Sequence, residues 1–353
     1  MLILVTGGAG YIGSHTVKAL RQAGHAPLVL DDFSTGRRAV VEEVLQVPFV
    51  EGAVGDGALV RSVLSGDHPA CGGQRPEAVI HFAGRSIVGE SWQRPAEYYG
   101  ANVADALSLL QAVVEVGATT ASGPVPFIFS SSCAVYGLPR TPSLTEEHPL
   151  EPINPYGRSK RMVEELIRDF ALAYGLPSII LRYFNAAGAD PDAEIGEVHD
   201  PETHLIPRVL DAMTGRSPYL QIFGDDFDTP DGTGIRDYTH VSDLADAHLL
   251  AVNRLLLRRA APAVASAPVP FRSLIYNLGT GQGVSVQQVI EAAKAVTGCG
   301  LLAHVAPRRG GDPARLVACA DRVRSELGWT PRRSDLATIL ADAWRWHQTQ
   351  PRH

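Results

Sequence analysis

Tyr156 and Lys160 stand four residues apart in the stretch NPYGRSKRMVEELIRDFALAYG. At that spacing two side chains share one face of a helix, and a nearby ammonium favours the phenolate of a tyrosine by direct charge attraction. A phenol brought from its ordinary pKa of ~10 to neutrality, at a differential stabilisation of about 4 kcal/mol, becomes a general base for a hydroxyl. A solvated surface pair has the same spacing, so the surroundings decide. In FIFSSSCAVYG, an apolar run ends in Ser130, Ser131 and Ser132. Loops at the carboxyl edge of a parallel sheet line a cleft, which would set Ser132 to hydrogen-bond a substrate hydroxyl beside Tyr156. Capping of the strand end is the plainer role for the same serines.

The element that must carry the pair is a helix. Asn154 suits its N-cap and Pro155 its first turn, and Gly175 suits its stop. Met162, Val163, Leu166, Ile167, Phe170 and Tyr174 would form its apolar face. A second chemical signal lies in LVTGGAGYIGSH, where Gly7, Gly10 and Gly13 follow an apolar run. Such glycines allow a tight turn, a close approach of backbone to a pyrophosphate, and a helix packed against the sheet with its N-terminus facing the phosphates. LVLDD then places Asp31 and Asp32 about 20 residues further on, where a carboxylate accepts from ribose hydroxyls and repels a 2'-phosphate. That favours NAD over NADP.

LILVTG, APLVLDD, FVEG, AVIHFAG, PFIFSSS and SIILRYFN read as strands with amphipathic segments between several of them. The alternation predicts an α/β fold, a doubly wound parallel (Rossmann) sheet. From about Asn185 it decays into loops such as AAGADPDAEIGEVHDPETH, which predicts a smaller, less regular substrate-binding lobe. The expected division is 1–184 for the NAD-binding domain, with a return of the chain to it around 235–280, and 185–234 with 281–353 for the second lobe. ACGGQRP, TASGPVP and RRAAPAVASAPVP read as surface loops.

With 353 residues, 45% hydrophobic and 20% charged, the chain can bury one large core or two lobes. Its 31 basic and 38 acidic residues give a formal charge of -7 without charged blocks, so neither a nucleic acid nor a membrane surface is the expected partner. MLILV runs through Thr6 into glycine after six residues, far short of a membrane span, and no basic leader precedes it, so a cytoplasmic location is expected. Cys71, Cys133, Cys299 and Cys319 are scattered without a CxxC pair, which fits reduced, buried thiols and no metal site.

The motifs together resemble the extended short-chain dehydrogenase/reductase superfamily and, within it, are similar to the UDP-glucose 4-epimerase branch. VTGGAGYIGSH and YxxxK mark the superfamily; RYFN, DGTGIRDY and APRRGGD are more specific to the branch, and the likeness covers essentially the whole chain. It implies that Gly7, Gly10, Tyr11, Ile12, Gly13, Asp31 and Asp32 hold the NAD phosphates and ribose. Phe82, Ala83, Gly84 and Asn102 would surround the rest of the cofactor. Ser132, Tyr156 and Lys160 would be catalytic, the latter two also touching NAD, with Tyr183 and Phe184 flanking the nicotinamide. Asn185 would meet the substrate, Arg236 and Arg309 would clamp its diphosphate, Asp312 would accept from the uridine ribose, and Leu316 would face the sugar. Guanidinium groups suit phosphate because their planar fork pairs its oxygens.

Three residues depart from the family pattern: Ala53 stands where an acidic residue near adenine is expected, Ser86 where some relatives carry lysine, and His204 in place of an asparagine. Its contact with the diphosphate is therefore open, and an isolated histidine is more often structural. The implied reaction is NAD-dependent interconversion of UDP-glucose and UDP-galactose through a 4-keto sugar, by a homodimer. UDP-N-acetylhexosamines or UDP-pentoses are alternative substrates. A nucleotide-sugar dehydratase would carry an acidic pair after the strand-end serine, where this chain has Cys133 and Ala134, and a non-catalytic NAD-binding protein would not need Tyr156 and Lys160.

Overall fold

The computed structural model describes residues 1–260 and 273–351 of the chain. They form two compact units: 1–137, 152–182, 245–260 and 273–276 in the first, and 138–151, 183–244 and 277–351 in the second.

The first unit is built on a seven-stranded sheet. Its strands are β1 (Leu2–Thr6), β2 (Ala26–Asp31), β3 (Phe49–Glu51), β4 (Ala78–His81), β5 (Phe127–Ser132), β6 (Ser178–Tyr183) and β7 (Leu274–Leu278), in the order β7-β6-β5-β4-β1-β2-β3. β3, β2, β1, β4 and β5 run parallel, with Thr6 opposite Leu30 on one side and His81 on the other. That register brings Gly7, Asp31, Phe82 and Ser132 to one carboxyl edge, where β1 is the switch point of the strand order. Every residue of β1, β4 and β5 is buried, as continuous apolar strands covered on both faces must be. Leu4, Leu28, Val79, Leu109, Val113, Phe127, Val163 and Ile180 belong to the core they share with the helices. The stretch Pro95–Ala118 is long and apolar enough by composition to cross a membrane, yet its Leu109, Leu110 and Val113 are buried in that core.

Helix α1 (Tyr11–Gln22) follows β1 after the glycine turn, and helix α2 (Pro155–Tyr174) precedes β6. The face that α2 buries differs from the sequence expectation. Val163, Ile167 and Ala171 are buried, but so are Tyr156, Ser159, Lys160 and Glu164, whereas Met162 and Tyr174 are exposed. Apolarity misplaced the face because half of it is polar by purpose. Glu164 accounts for that polarity: its carboxylate accepts from Arg182 Nε of β6 (2.9 Å) and from Ser131 Oγ of β5 (2.6 Å), and Arg182 also donates to the Tyr136 hydroxyl (3.0 Å).

In the second unit, helix α3 (Leu205–Thr214) packs with helices Val286–Thr297 and Leu336–Thr349 through Ile206, Val209, Leu210, Val289, Ile290, Ile339 and Leu340. The strand Ile235–Arg236 lies between Val284–Ser285 and Arg315–Leu316, and Asn185–Ala187 pairs in parallel with Tyr238–His240. The chain therefore rejoins the first unit at residue 245 rather than near 235. Segment 138–151 also lies outside the span expected for it, because Leu144 N donates to Val317 O and Cys319 N to Leu144 O. Cys71 and Cys133 are buried, while Cys299 and Cys319 are only partly covered. RRAAPAVASAPVP begins in the helix Val241–Ala260, and its remainder lies outside the described residues.

Arg182 and Glu164 are a fully buried ion pair. Glu164→Leu strands the guanidinium without a counter-charge, so a stability loss of about 3–5 kcal/mol is expected in urea denaturation, largely recovered when Arg182→Leu is added. A single-variant loss below about 1 kcal/mol would show that the pair does not anchor α2.

Candidate active site

The N-terminus of α2 is fixed as its sequence demands: Asn154 Oδ1 accepts from Gly157 N (2.8 Å), Pro155 occupies the first turn, and Gly175 ends the helix in the left-handed region at φ 68°. Tyr156 and Lys160 follow one another on the buried face, only 8% and 6% exposed. The Ser132 hydroxyl hydrogen-bonds Tyr156 and also caps the next turn by accepting from Ala134 N (3.2 Å), the plainer of the two roles expected of it. Lys160 Nζ donates to Ser130 O (2.9 Å) and lies 5.9 Å from the Tyr156 ring centre.

Charge in this site runs against the sequence expectation. Burial pushes the Tyr156 phenol up to about 12, only partly offset by the bond to Ser132. Burial likewise brings Lys160 down to about 8, against the favourable carboxylate of Glu164. The ammonium is aimed at a backbone carbonyl, and desolvation outweighs it at the phenol. A phenolate at neutral pH therefore requires about 7 kcal/mol from elsewhere, and a positive charge brought in by a ligand is the natural source.

The glycine turn has three distinct causes. Gly7 has φ 71°, and a Cβ there would lie 2.5 Å from Ala83 N; a Cβ on Gly13 would lie 2.2 Å from Gly7 O. Gly10 has no such conflict, its Cβ meeting nothing nearer than Gly7 O at 3.4 Å, and it caps α1 without offering a side-chain acceptor. That leaves an open helix N-terminus carrying Tyr11 and Ile12, the surface a pyrophosphate needs. Asp31 is buried, and its carboxylate accepts from Ala9 N and Phe33 N (both 2.9 Å). Asp32 is exposed and accepts from Ser34 N (2.9 Å). The residues present fit an unphosphorylated dinucleotide.

Phe82 packs against His248, 4.6 Å between ring centres, and Ala83 N donates to Thr6 O (3.2 Å). Gly84 adopts φ 145°, where a Cβ would lie 2.7 Å from Asn102 Oδ1. Asn102 spends its amide locally: Oδ1 accepts from Arg85 N (2.7 Å), and Nδ2 donates to Arg85 O (3.0 Å) and Ser159 Oγ (2.9 Å). It shapes the Gly84 turn and ties it to α2. Ala53 and Ser86, the two other departures, are exposed. Two groups escaped the sequence reading. Glu164 stands four residues beyond Lys160, a spacing that could have revealed it, whereas Tyr98, whose buried ring lies 6.5 Å from that of Tyr156, left no local signal.

In the second unit, Arg236 and Asp312 are in direct contact, and Arg236 Nη1 donates to Ile235 O (2.8 Å). Arg309 stacks on Phe223, 3.8 Å from its ring centre, within electrostatic reach of Asp312, Arg208 and Arg236. Arg309 thus has two further guanidinium groups and one carboxylate within electrostatic reach, and such planar forks suit phosphate oxygens. Leu316, half-buried, lies opposite Arg236 in the strand pair. Tyr183 is partly exposed, Phe184 is buried, and Asn185 Oδ1 is buried without a hydrogen-bond partner, a free acceptor. His204 is half-exposed, and its Nδ1 contacts Glu197.

Comparison with known proteins gives a consistent result. Residues 3–258 match the model of the NAD dependent epimerase/dehydratase family. A UDP-glucose 4-epimerase of Azospirillum brasilense is 47% identical over 347 residues, 98% of this chain and 92% of that protein. Among solved structures, a UDP-glucose 4-epimerase from Brucella ovis in complex with NAD is 44% identical with a TM-score of 0.86, covering 98% of this chain and 97% of its own. One from Stenotrophomonas maltophila, with bound NAD and formylated UDP-arabinopyranose, is 38% identical with a TM-score of 0.88, covering 99% and 98%.

An acid whose pKa is raised keeps its proton to higher pH, and a base whose pKa is lowered keeps its charge only below that value. In cofactor-free protein, Tyr156 should therefore stay neutral as pH rises through 8 while Lys160 loses its charge. Ultraviolet difference titration of wild type against Tyr156→Phe measures this, and no phenolate signal is expected below about pH 10. A phenolate at neutral pH without cofactor would contradict the burial argument.

Proposed function

The chain belongs to the NAD dependent epimerase/dehydratase family, and on that premise we propose that it interconverts UDP-glucose and UDP-galactose by inverting the sugar at C4. It is an isomerase that uses NAD. The observation that carries the reading is the buried phenol of Tyr156, hydrogen-bonded to Ser132 and one turn from Lys160.

In this reading, Gly7, Gly10 and Gly13 admit the NAD pyrophosphate, and Asp31 holds the adenosine ribose. Bound there, NAD supplies both the acceptor and the donor of the C4 hydride, and its oxidised ring supplies the positive charge the phenol lacks. Tyr156 Oη takes the C4 hydroxyl proton, with the Ser132 hydroxyl holding the reacting oxygen in line. Loss of that proton together with the hydride leaves a 4-keto sugar. Arg236 and Arg309 keep the diphosphate while the sugar turns about its phosphate linkage and offers its other face. Return of the hydride to the other face of C4, with Tyr156 giving its proton back to the oxygen, would restore the hydroxyl inverted, so no net oxidation results.

The acceptor of Asn185 and the side chain of Leu316 bear on which sugars fit. Leucine is smaller than tyrosine but still branched, and one or two carbons of steric fit are worth about 1–3 kcal/mol of discrimination. UDP-galactose, UDP-N-acetylgalactosamine and UDP-arabinose, incubated separately with the purified enzyme, test both points. UDP-galactose should give UDP-glucose with no accumulating reduced cofactor, and the N-acetylated sugar should turn over more slowly. Leu316→Tyr should abolish mainly the slower reaction. Stoichiometric reduced cofactor would replace an epimerase by a dehydrogenase, and equal loss of both activities would make Leu316 a packing residue.

A further inference from the structure

The sequence treats His204 as an isolated histidine, yet the fold gathers three more donors around it. Glu197, His199, Glu202 and His204 lie within one eight-residue segment, EVHDPETH, and each offers an atom within 4.8 Å of all the others. His199 Nδ1 is 3.3 Å from Glu197 Oε1 and 3.6 Å from Glu202 Oε2, and His204 Nδ1 is 3.7 Å from Glu202 Oε1. Nitrogen and oxygen ligands about 2.0–2.2 Å from a tetrahedral ion are separated by about 3.3–3.6 Å, close to these spacings. Only the direct contact between His204 and Glu197 is shorter, and an entering ion would part it.

A second observation points the same way. Glu197 is 5% exposed, and its Oε1, like His199 Nδ1, is buried without a well-directed hydrogen bond, although both aim into the cluster. Two imidazoles and two carboxylates converging on a common point are what a shared cation organises. The surroundings hold the donors in place. Thr203 N and His204 N donate to Glu202 Oε1 (2.7 and 2.8 Å), and Trp346 Nε1 donates to Glu197 O (3.1 Å). Hydrogen bonds of this kind orient ligands and raise affinity.

We propose that Glu197, His199, Glu202 and His204 form a binding site for a zinc-like divalent cation. Two imidazoles with two carboxylates favour a first-row transition ion over magnesium or calcium, which prefer oxygen alone. The ion ties together a loop that ends at His204, the N-cap of α3, one turn before Arg208, whose charge reaches Arg309. Its role is to position that entry to the guanidinium cluster. Without an ion the same groups form imidazolium–carboxylate pairs: burial opposes charge on His199, and Glu197 with Glu202 overcomes it, holding the imidazolium to about pH 10. Metal and proton therefore compete for the cluster.

Untagged protein, stripped with a chelator and dialysed, is titrated with Zn2+ against a chromophoric competitor, and its thermal midpoint is followed with Zn2+ or Mg2+. One Zn2+ per chain and a Zn2+-specific rise in midpoint are expected. His199→Gln and, at the half-exposed position, His204→Asn should each weaken binding by about 100-fold and remove the rise. Absence of stoichiometric Zn2+ binding, or equal binding by wild type and both variants, would overturn the site and leave an ion-pair cluster, with any residual zinc held by cysteine.

Discussion

A phenol and an ammonium buried one helical turn apart are costly to keep dry, and that cost shapes the first unit. Neither group is left to itself. Lys160 is tethered to Ser130 O, Tyr156 to Ser132, and the next turn carries Glu164 into a buried pair with Arg182. Ser159, on the same face, accepts from Asn102, which shapes the Gly84 turn. The polar half of α2 thus binds β5, β6 and the cofactor turn, whereas its apolar half merely packs. Burial raises the energy of every charge in the site, so a proton is held firmly at Tyr156 until another charge arrives. In the proposed reaction, Tyr156 would then become a base only once the cofactor is bound.

The two units divide the chemistry by charge. The first offers an uncapped helix end, a carboxylate and neutral donors, enough to seat a dinucleotide without NADP's extra phosphate. The second brings Arg208, Arg236 and Asp312 within electrostatic reach of Arg309, with Arg236 paired to Asp312, groups that in the proposed reaction would hold phosphate oxygens. The proposed inversion at one carbon calls for a tight hold on the nucleotide and a loose one on the hexose.

Much of this was legible from local pattern. Six of the seven strands in the first sheet announce themselves as short apolar runs, and the glycine turn follows from sterics that any strand-to-helix junction of this type imposes. What escaped depends on distance in sequence. Met162 and Tyr174 were assigned inward because their residue types are apolar, but burial on α2 is decided by Arg182 and Ser131, which no local window contains. Segment 138–151 joins the second unit through bonds to residues 317 and 319. The phenol's direction of shift is hidden for the same reason, since spacing reveals the lysine and not the dryness. His199, Glu202 and Glu197 leave no mark in the sequence because a loop gives no periodicity to signal that side chains converge.

The central claim is that the C4 hydrogen leaves as a hydride, stays on the enzyme and returns to the same carbon, while Tyr156 handles only the hydroxyl proton. UDP-galactose bearing deuterium at C4, converted in ordinary water, tests this most directly. The account predicts UDP-glucose that retains the deuterium at C4, with no exchange into solvent; product that carries solvent hydrogen at C4 would contradict it.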